Sequence, residues 1–212
     1  MFDTKKFLEI KDIIKKNNKK SQIIAISKNH PKISVIEAIN NGVYTFGENR
    51  VLEAKNKFSE LKELHPGIEL HLTGPLQSNK VKLAVSIFDI FHTLDREKIA
   101  KEFNKYKDEI VNKKFFIQVN TGQEETKSGI YPNNLNEFIK FCKNDMSLNV
   151  VGLMCIPPIN EKPTLHFRKL QLLASENKLN KLSIGMSSDY LEALEFDPTY
   201  LRLGTILFGK RN

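Results

Sequence analysis

The sequence has no tryptophan, only two cysteines, and only five arginines against 28 lysines. Cys142 and Cys155 form no C-x-x-C pair and have no metal-ligand spacing, and the five histidines have none either. No apolar run approaches the roughly 20 residues that span a membrane, so we expect no membrane segment. Met1–Lys6 is not followed by the apolar segment of a signal peptide. Isolated thiols without such a signal predict a cytoplasmic protein.

The positive charge is spread along the chain and is not concentrated in one segment. The net charge is +8, but the lysines are scattered, and the 20 asparagines indicate a general drift in composition. The only dense patch, Lys15–Lys20, follows an amphipathic helical pattern and is typical of a solvated loop. Proteins that bind nucleic acids tend to cluster Lys and Arg on one face. We therefore expect no nucleic-acid partner.

Short apolar segments alternate with helical patterns over the whole chain. The strand candidates are Ile23–Ser27, Val43–Gly47, Leu70–Thr73, Ile90–Leu94, Phe115–Asn120, Val150–Ile156, Leu182–Met186 and Leu201–Thr205. The helical stretches between them are Ser34–Asn40, Val51–Leu64, Asn79–Ser86, Arg96–Tyr106, Leu135–Cys142, Thr164–Ala174 and Tyr190–Glu195. An additional helical face, Thr4–Lys16, precedes the first strand. Short apolar strands separated by helices favour parallel pairing with both sheet faces buried.

Eight such units predict a closed (β/α)8 TIM barrel with an extra N-terminal helix. A doubly wound six-stranded sheet is the main rival, but it would leave two strands unexplained. At 212 residues the chain is long enough for one substantial core, so we expect residues 1–212 to form a single domain. In such barrels the functional residues follow the strands, at the carboxyl rim. His71 and His92 fall within strands, where we expect structural histidines.

Two features at the strand ends point to a cofactor. Lys28 directly follows an apolar strand, and a lysine that is desolvated at a barrel rim can become the neutral nucleophile that imine formation requires. Taken alone, any one of the 28 lysines is most simply a solvated surface charge, and it is the strand-end position of Lys28 that favours a functional role. The last two strands end in glycine and hydroxyl residues, around Ser187 and at Gly204-Thr205, which would form a phosphate cup. A phosphate cup with a strand-end lysine is what pyridoxal phosphate (PLP) requires to be held as a Schiff base.

Two residues near this cup each have a second interpretation. Ser187 could cap the helix that follows it, but Asp189 and Glu192 fit a capping box, which would free the Ser187 hydroxyl for a ligand. Arg202 should share a strand face with Gly204, because side chains alternate along a strand. A guanidinium that points into a barrel needs an acceptor. A cofactor's ring nitrogen and an internal carboxylate are both candidates.

The chain resembles the pyridoxal phosphate homeostasis proteins of the YggS/PROSC type from end to end. The matching segments are Ala25–Lys28, Phe46–Asn49, His71–Lys80, His92–Arg96, Gln118–Asn120, Lys127–Gly129, Gly152–Met154, Leu182–Ser187 and Arg202–Thr205. The resemblance implies the fold of the alanine racemase N-terminal domain, with PLP at the barrel mouth. It implies Lys28 as the Schiff-base lysine, Ser187, Gly204 and Thr205 as phosphate ligands, and Arg202 as the residue that faces the pyridine nitrogen. It also implies that Asn49 lies near the cofactor.

The resemblance favours a carrier of PLP over an enzyme. The sequence ends seven residues after Thr205, so we expect no second domain supplying the other acid/base group that a racemase needs. The expected function is PLP buffering and delivery to apo-enzymes by a cytoplasmic monomer. An amino-acid racemase or related PLP enzyme is the alternative. A phosphate-sugar barrel enzyme that uses Lys28 as an aldolase-type nucleophile is a third reading.

Overall fold

The chain folds into a closed barrel of parallel strands, seen in a computed structural model that describes residues 1–17 and 19–210. Within those residues the strands are β1 (Gln22–Ile26), β2 (Thr45–Glu48), β3 (Glu69–Leu72), β4 (Ile90–Leu94), β5 (Lys114–Gln118), β6 (Val150–Met154), β7 (Lys181–Ser183) and β8 (Tyr200–Leu203). They pair in chain order, and β8 returns to β1 with Ile24 opposite Arg202. The predicted (β/α)8 barrel is confirmed.

Helices follow the strands and surround the barrel. They are α1 (Thr4–Lys16), α2 (Lys32–Asn40), α3 (Val51–Leu64), α4 (Val81–Ile87), α5 (Glu97–Asn104), α6 (Leu135–Lys140), α7 (Pro163–Glu176), α8 (Tyr190–Ala193) and α9 (Thr205–Phe208). The extra N-terminal helix α1 is present as predicted, and Phe2 beside it packs its ring 5.4 Å from that of Phe208. Over the described residues, the helices are all too short or too polar to cross a bilayer.

Several strands end earlier than their apolar runs predict. The sequence extends the seventh strand to Met186 and the eighth to Thr205, but β7 ends at Ser183 and β8 at Leu203. The chain turns away at Gly185, whose φ of +84° lies in the left-handed region. A Cβ there would meet Ala193 Cβ at 2.7 Å, so glycine is required. The residues that follow Ser183 and Leu203 therefore lie at the rim of the barrel and not within the strands.

Two apolar layers hold the barrel together. The layer between strands and helices is rich in phenylalanine, and Phe91 stacks on Phe115 with ring centroids 5.3 Å apart. The barrel interior is filled by Ile24, Ile26, Ile90, Phe116, Met154 and Tyr200. His71 and His92 are fully buried in β3 and β4, in agreement with their predicted placement within strands. The mouth of this filled interior is where the candidate site lies.

Candidate functional site

A cavity of about 500 Å³ lies at the carboxyl rim of the barrel, over β1 and β8. Its lining residues are Ile26, Lys28, Asn49, Thr73, Ile156, Met186, Ser187, Ser188, Arg202, Gly204 and Thr205. The structure thus brings all six residues that the sequence selects, Lys28, Asn49, Ser187, Arg202, Gly204 and Thr205, around one space. They come from the ends of four strands, and only the closed barrel makes these ends neighbours.

Lys28 lies in a turn that backbone hydrogen bonds of Ser27 hold in place. Ser27 donates its N–H to the Gly47 carbonyl, and His30 donates to the Ser27 carbonyl at 3.1 Å. Asn29 adopts a left-handed φ of +61°, which asparagine tolerates better than most residues. The chain therefore reverses directly after β1 and leaves Lys28, which is half-buried, at the edge of the cavity.

A buried ion pair supports this turn, and the sequence pattern did not reveal it. Lys57, on α3, places its Nζ 2.7 Å from the Ser27 carbonyl, 2.8 Å from Glu48 Oε1 and 2.7 Å from Glu53 Oε1. Ser27 Oγ donates to the same Glu48 oxygen at 2.7 Å. Burial raises the pKa of Glu48, and the charge and hydrogen bond of Lys57 oppose that rise. Among the described atoms, Glu48 Oε2 is buried without a hydrogen-bond partner.

The segments after β7 and β8, where the sequence predicts a phosphate cup, are joined by hydrogen bonds to Ser187. Ser187 Oγ accepts from the backbone N–H groups of Gly204 and Ile206, both at 3.3 Å. These long bonds mark two donors that a phosphate oxygen could use together with the hydroxyl. The Ile206 N–H was not identified from the sequence, because nothing in an apolar side chain signals a backbone donor.

The capping box that the sequence suggests at α8 is not formed. Asp189 stands at the N-cap position, but its side chain makes no capping bond to the helix and accepts instead from the Met186 N–H. The carboxylate of Asp189 therefore bonds to the preceding turn, Ile184–Ser188, and not to α8. Ser187 does not take the place of Asp189, because its hydroxyl accepts from Gly204 and Ile206. That this hydroxyl binds a ligand stays a prediction.

Arg202 lines the cavity at the barrel mouth, and its partners there are neutral oxygens and not the internal carboxylate that the sequence offered as one alternative. Its Nη1 donates to the Ser183 carbonyl at 2.6 Å and to Ser183 Oγ at 2.8 Å, while Nη2 donates to the Cys155 carbonyl at 2.9 Å. Neutral oxygens thus hold three of its five N–H groups and no carboxylate is among these partners. Burial lowers the pKa of Arg202, although a guanidinium remains charged at neutral pH.

Asn49 and Thr73 close the side of the cavity next to Lys28. Thr73 Oγ1 donates to Asn49 Oδ1 at 3.0 Å. Gly74 lets the two loops approach, since a Cβ there would lie 2.5 Å from the Asn49 carbonyl oxygen. Thr73 had no role in the sequence analysis, although its hydroxyl at a strand end was a usable signal.

Comparison with known proteins agrees with this geometry. The model of the alanine racemase N-terminal domain matches residues 7–212. The pyridoxal phosphate homeostasis protein of Aquifex aeolicus is 40% identical over 202 residues, which covers 90% of this chain and 87% of that protein. The protein of the same name from Escherichia coli is 35% identical over 200 residues, covering 90% of this chain and 86% of that one.

Solved structures show the same relationship. PipY of Synechococcus elongatus, in a structure with PLP bound, is 32% identical with a TM-score of 0.86, covering 97% of this chain and 99% of that one. Alanine racemase of Acinetobacter baumannii is 16% identical with a TM-score of 0.75, covering 97% of this chain and 61% of that one, a likeness of fold alone. The chain therefore belongs to the pyridoxal phosphate homeostasis protein family, which has the fold of the alanine racemase N-terminal domain.

Proposed function

We propose that this protein holds PLP as a Schiff base on Lys28 and buffers and delivers the cofactor inside the cell. In this proposal it acts as a cytoplasmic monomer and its recipients are apo forms of PLP-dependent enzymes. PLP, when bound, supplies an aldehyde that reacts with primary amines. The names of its relatives and the PLP-bound PipY structure support the cofactor.

The single observation that carries the proposal is the composition of the rim cavity. An amine and a phosphate-binding set of donors line the same space of about 500 Å³. Lys28 follows β1, and the proposed cup of Ser187, Gly204 and Thr205 follows β7 and β8. Strand β8 pairs with β1 and so closes the barrel. The chemistry of these donors fits a ligand that carries an aldehyde on one side and a phosphate on the other.

The charge of Arg202 favours a protein that binds PLP over an enzyme that uses PLP in catalytic turnover. A permanently charged guanidinium at the ring nitrogen disfavours protonation of that nitrogen, and an unprotonated ring is a weaker electron sink for carbanion chemistry. Among the described residues that line the cavity, none is a tyrosine, histidine or cysteine that could act as a second acid or base. Cys155 lies beneath the floor, and burial raises the pKa of its thiol to about 12.

The test is an absorption spectrum of the purified protein with added PLP, followed by borohydride reduction and peptide mass mapping. We expect a visible imine band and a pyridoxyl adduct on the peptide that contains Lys28. Lys28→Ala should lose both, whereas Lys32→Ala, which removes an exposed lysine paired with Glu60, should keep them. An unchanged spectrum in Lys28→Ala would reject the proposal, as would a protein that stays colourless with PLP.

The delivery step is tested separately with an apo-enzyme. The loaded protein is mixed with a PLP-dependent apo-enzyme, and recovery of activity is compared with that given by the same amount of free PLP. We expect the activity of the apo-enzyme to recover even when a phosphatase removes free PLP, because the cofactor passes directly between the two proteins. Recovery that the phosphatase abolishes would limit the function to buffering.

A PLP-dependent amino-acid racemase is the second candidate, because the fold is that of the alanine racemase N-terminal domain. Loss of optical rotation from an L-amino acid, dependent on Lys28, would establish it. The lack of a second acid/base group among the described cavity residues argues against it.

A further inference from the structure

A continuous chain of hydrogen bonds crosses the barrel interior from the amino end to the candidate site. Glu69 Oε1 lies 2.9 Å from His71 Nε2, and His71 Nδ1 lies 2.8 Å from His92 Nε2. His92 Nδ1 lies 2.9 Å from Ser183 Oγ, which accepts from Arg202 Nη1 at 2.8 Å. Four side-chain contacts thus join a carboxylate at the start of β3 to the guanidinium at the cavity.

The middle of this chain is sealed from water. His71 and His92 are fully buried, and His92 stacks on Phe116 with centroids 4.7 Å apart and planes 4° apart. Tyr200 contacts both imidazoles edge-on. Burial lowers the pKa of His71 and lowers that of His92 well below its usual value, and it therefore favours the neutral form of both rings.

The carboxylate end fixes the protons in between. An ionised Glu69 can only accept, so a neutral His71 donates to it from Nε2 and accepts at Nδ1. His92 therefore donates to His71 from Nε2 and accepts at Nδ1, where Ser183 donates to it. Arg202 can only donate, so Ser183 accepts from it. With neutral rings this is the one arrangement in which every contact is a hydrogen bond, and each acceptor lone pair is directed toward Arg202.

We propose that Glu69 is a positioning residue for Arg202, acting through the tautomers that it imposes on His71 and His92. The proposal rests on the proposed place of Arg202 at the ring of PLP. The direct partners of Arg202 are all neutral oxygens. The charge of Asp189 acts on the guanidinium through space, and the aligned chain connects it to a second carboxylate, Glu69, at the far end of the barrel. Aligned bonds of this kind stabilise a cation at the donor end and an anion at the acceptor end.

Loss of the Glu69 carboxylate would permit the hydrogen bonds between His71, His92 and Ser183 to run in the opposite direction. The hydrogen bond from His71 lowers the pKa of Glu69 against the effect of burial, and the charges of Lys114 and Lys181 lower it further. Without Glu69 the charge of Lys114 favours a lone pair on His71, while that of Asp89 opposes it, so neither tautomer is imposed. In the reverse arrangement His71 and His92 carry their protons on Nδ1, and His92 donates to Ser183, directing an N–H toward the Arg202 end.

Nitrogen-15 NMR of histidine-labelled protein without PLP tests the tautomers directly. We expect the Nε2–H form for both rings in the wild type and in Ser183→Ala, because the imposing group is at the other end. Glu69→Leu and Glu69→Gln both remove the group that imposes the Nε2–H form, so the Nδ1–H form of both rings should become populated in each variant. Asp197→Asn, which removes a carboxylate just before β8 that is paired with Lys19, should match the wild type.

Unchanged tautomers in both Glu69 variants overturn the proposal, as does a wild type with either ring charged or protonated on Nδ1.

PLP affinity tests the effect on Arg202. We expect Glu69→Leu to bind PLP about tenfold more weakly, the size of one hydrogen bond to a charged group, with Asp197→Asn unchanged. Shifted tautomers with unchanged affinity and an unchanged absorption band would overturn the positioning role. Wild-type protein that does not bind PLP would instead reject the proposed function, and the tautomer result would stand on its own.

Discussion

Replacing Lys57 with methionine should destabilise the protein strongly, because it leaves a buried carboxylate without its cation. Lys57 and Glu48 lie 2.8 Å apart, with side chains 9% and 0% exposed. Removing one partner of a buried pair costs about 3–5 kcal/mol, and the bond from Nζ to the Ser27 carbonyl is lost as well. We therefore expect Lys57→Met to lower the free energy of unfolding at pH 7 by about 4 kcal/mol.

The pH dependence of this loss has a definite sign. Burial already raises the pKa of Glu48 in the folded state, and without Lys57 it rises further. A carboxyl whose folded pKa lies above its unfolded value binds more protons when folded, so stability falls as pH rises from the unfolded value through the folded one. Lys57→Met should therefore be closer to wild type near pH 5 than at pH 8.

Urea unfolding at both pH values, followed by circular dichroism, measures the effect. The double variant Lys57→Met, Glu48→Gln removes the uncompensated charge and should recover a large part of the loss. Lys32→Met, which breaks an exposed pair with Glu60, should cost at most about 1 kcal/mol. A Lys57→Met protein within 1 kcal/mol of wild type, or a double variant no more stable than the single one, would refute the reasoning.

Other changes have equally direct outcomes. Gly185→Ala places a Cβ 2.7 Å from that of Ala193 at a left-handed φ, so thermal unfolding should show a midpoint several degrees lower; an unchanged midpoint would contradict the steric argument. Ser187→Ala should weaken PLP binding about tenfold but leave pyridoxal, which has no phosphate, unaffected in a spectral titration; equal losses would place the phosphate elsewhere. Burial raises the thiol pKa of Cys142 and Cys155 to about 12, so a thiol reagent should label them only on unfolding; rapid labelling of the native protein would contradict their burial.

The sequence was most informative where a residue's role follows from its place in the strand-helix alternation. Lys28, Ser187, Gly204 and Thr205 each end an apolar run, and parallel strands of a barrel bring such ends to one rim. That the six selected residues line one cavity agrees with this reasoning. Their roles as PLP ligands stay predictions, tested by the experiments above.

The residues that the sequence did not reveal are those whose partners are distant in the chain. Lys57 is one lysine among 28, and only the packing of α3 under the Lys28 turn distinguishes it. Asp189 is a contrasting case: it fits a local capping box, yet its carboxylate accepts from the N–H of Met186, three residues earlier. Two local patterns compete there for one carboxylate, and the local rule did not decide which would form.

The sequence alone determined the alternation of strands and helices, and with it the closed barrel and the rim at which the candidate residues meet. It did so because apolar periodicity and strand-end residues are local properties. Only the tertiary structure decided what Arg202 contacts and how Glu69 is joined to it. Those links run between β3, β4, β7 and β8, and side chains from strands far apart in the chain meet only when the barrel closes.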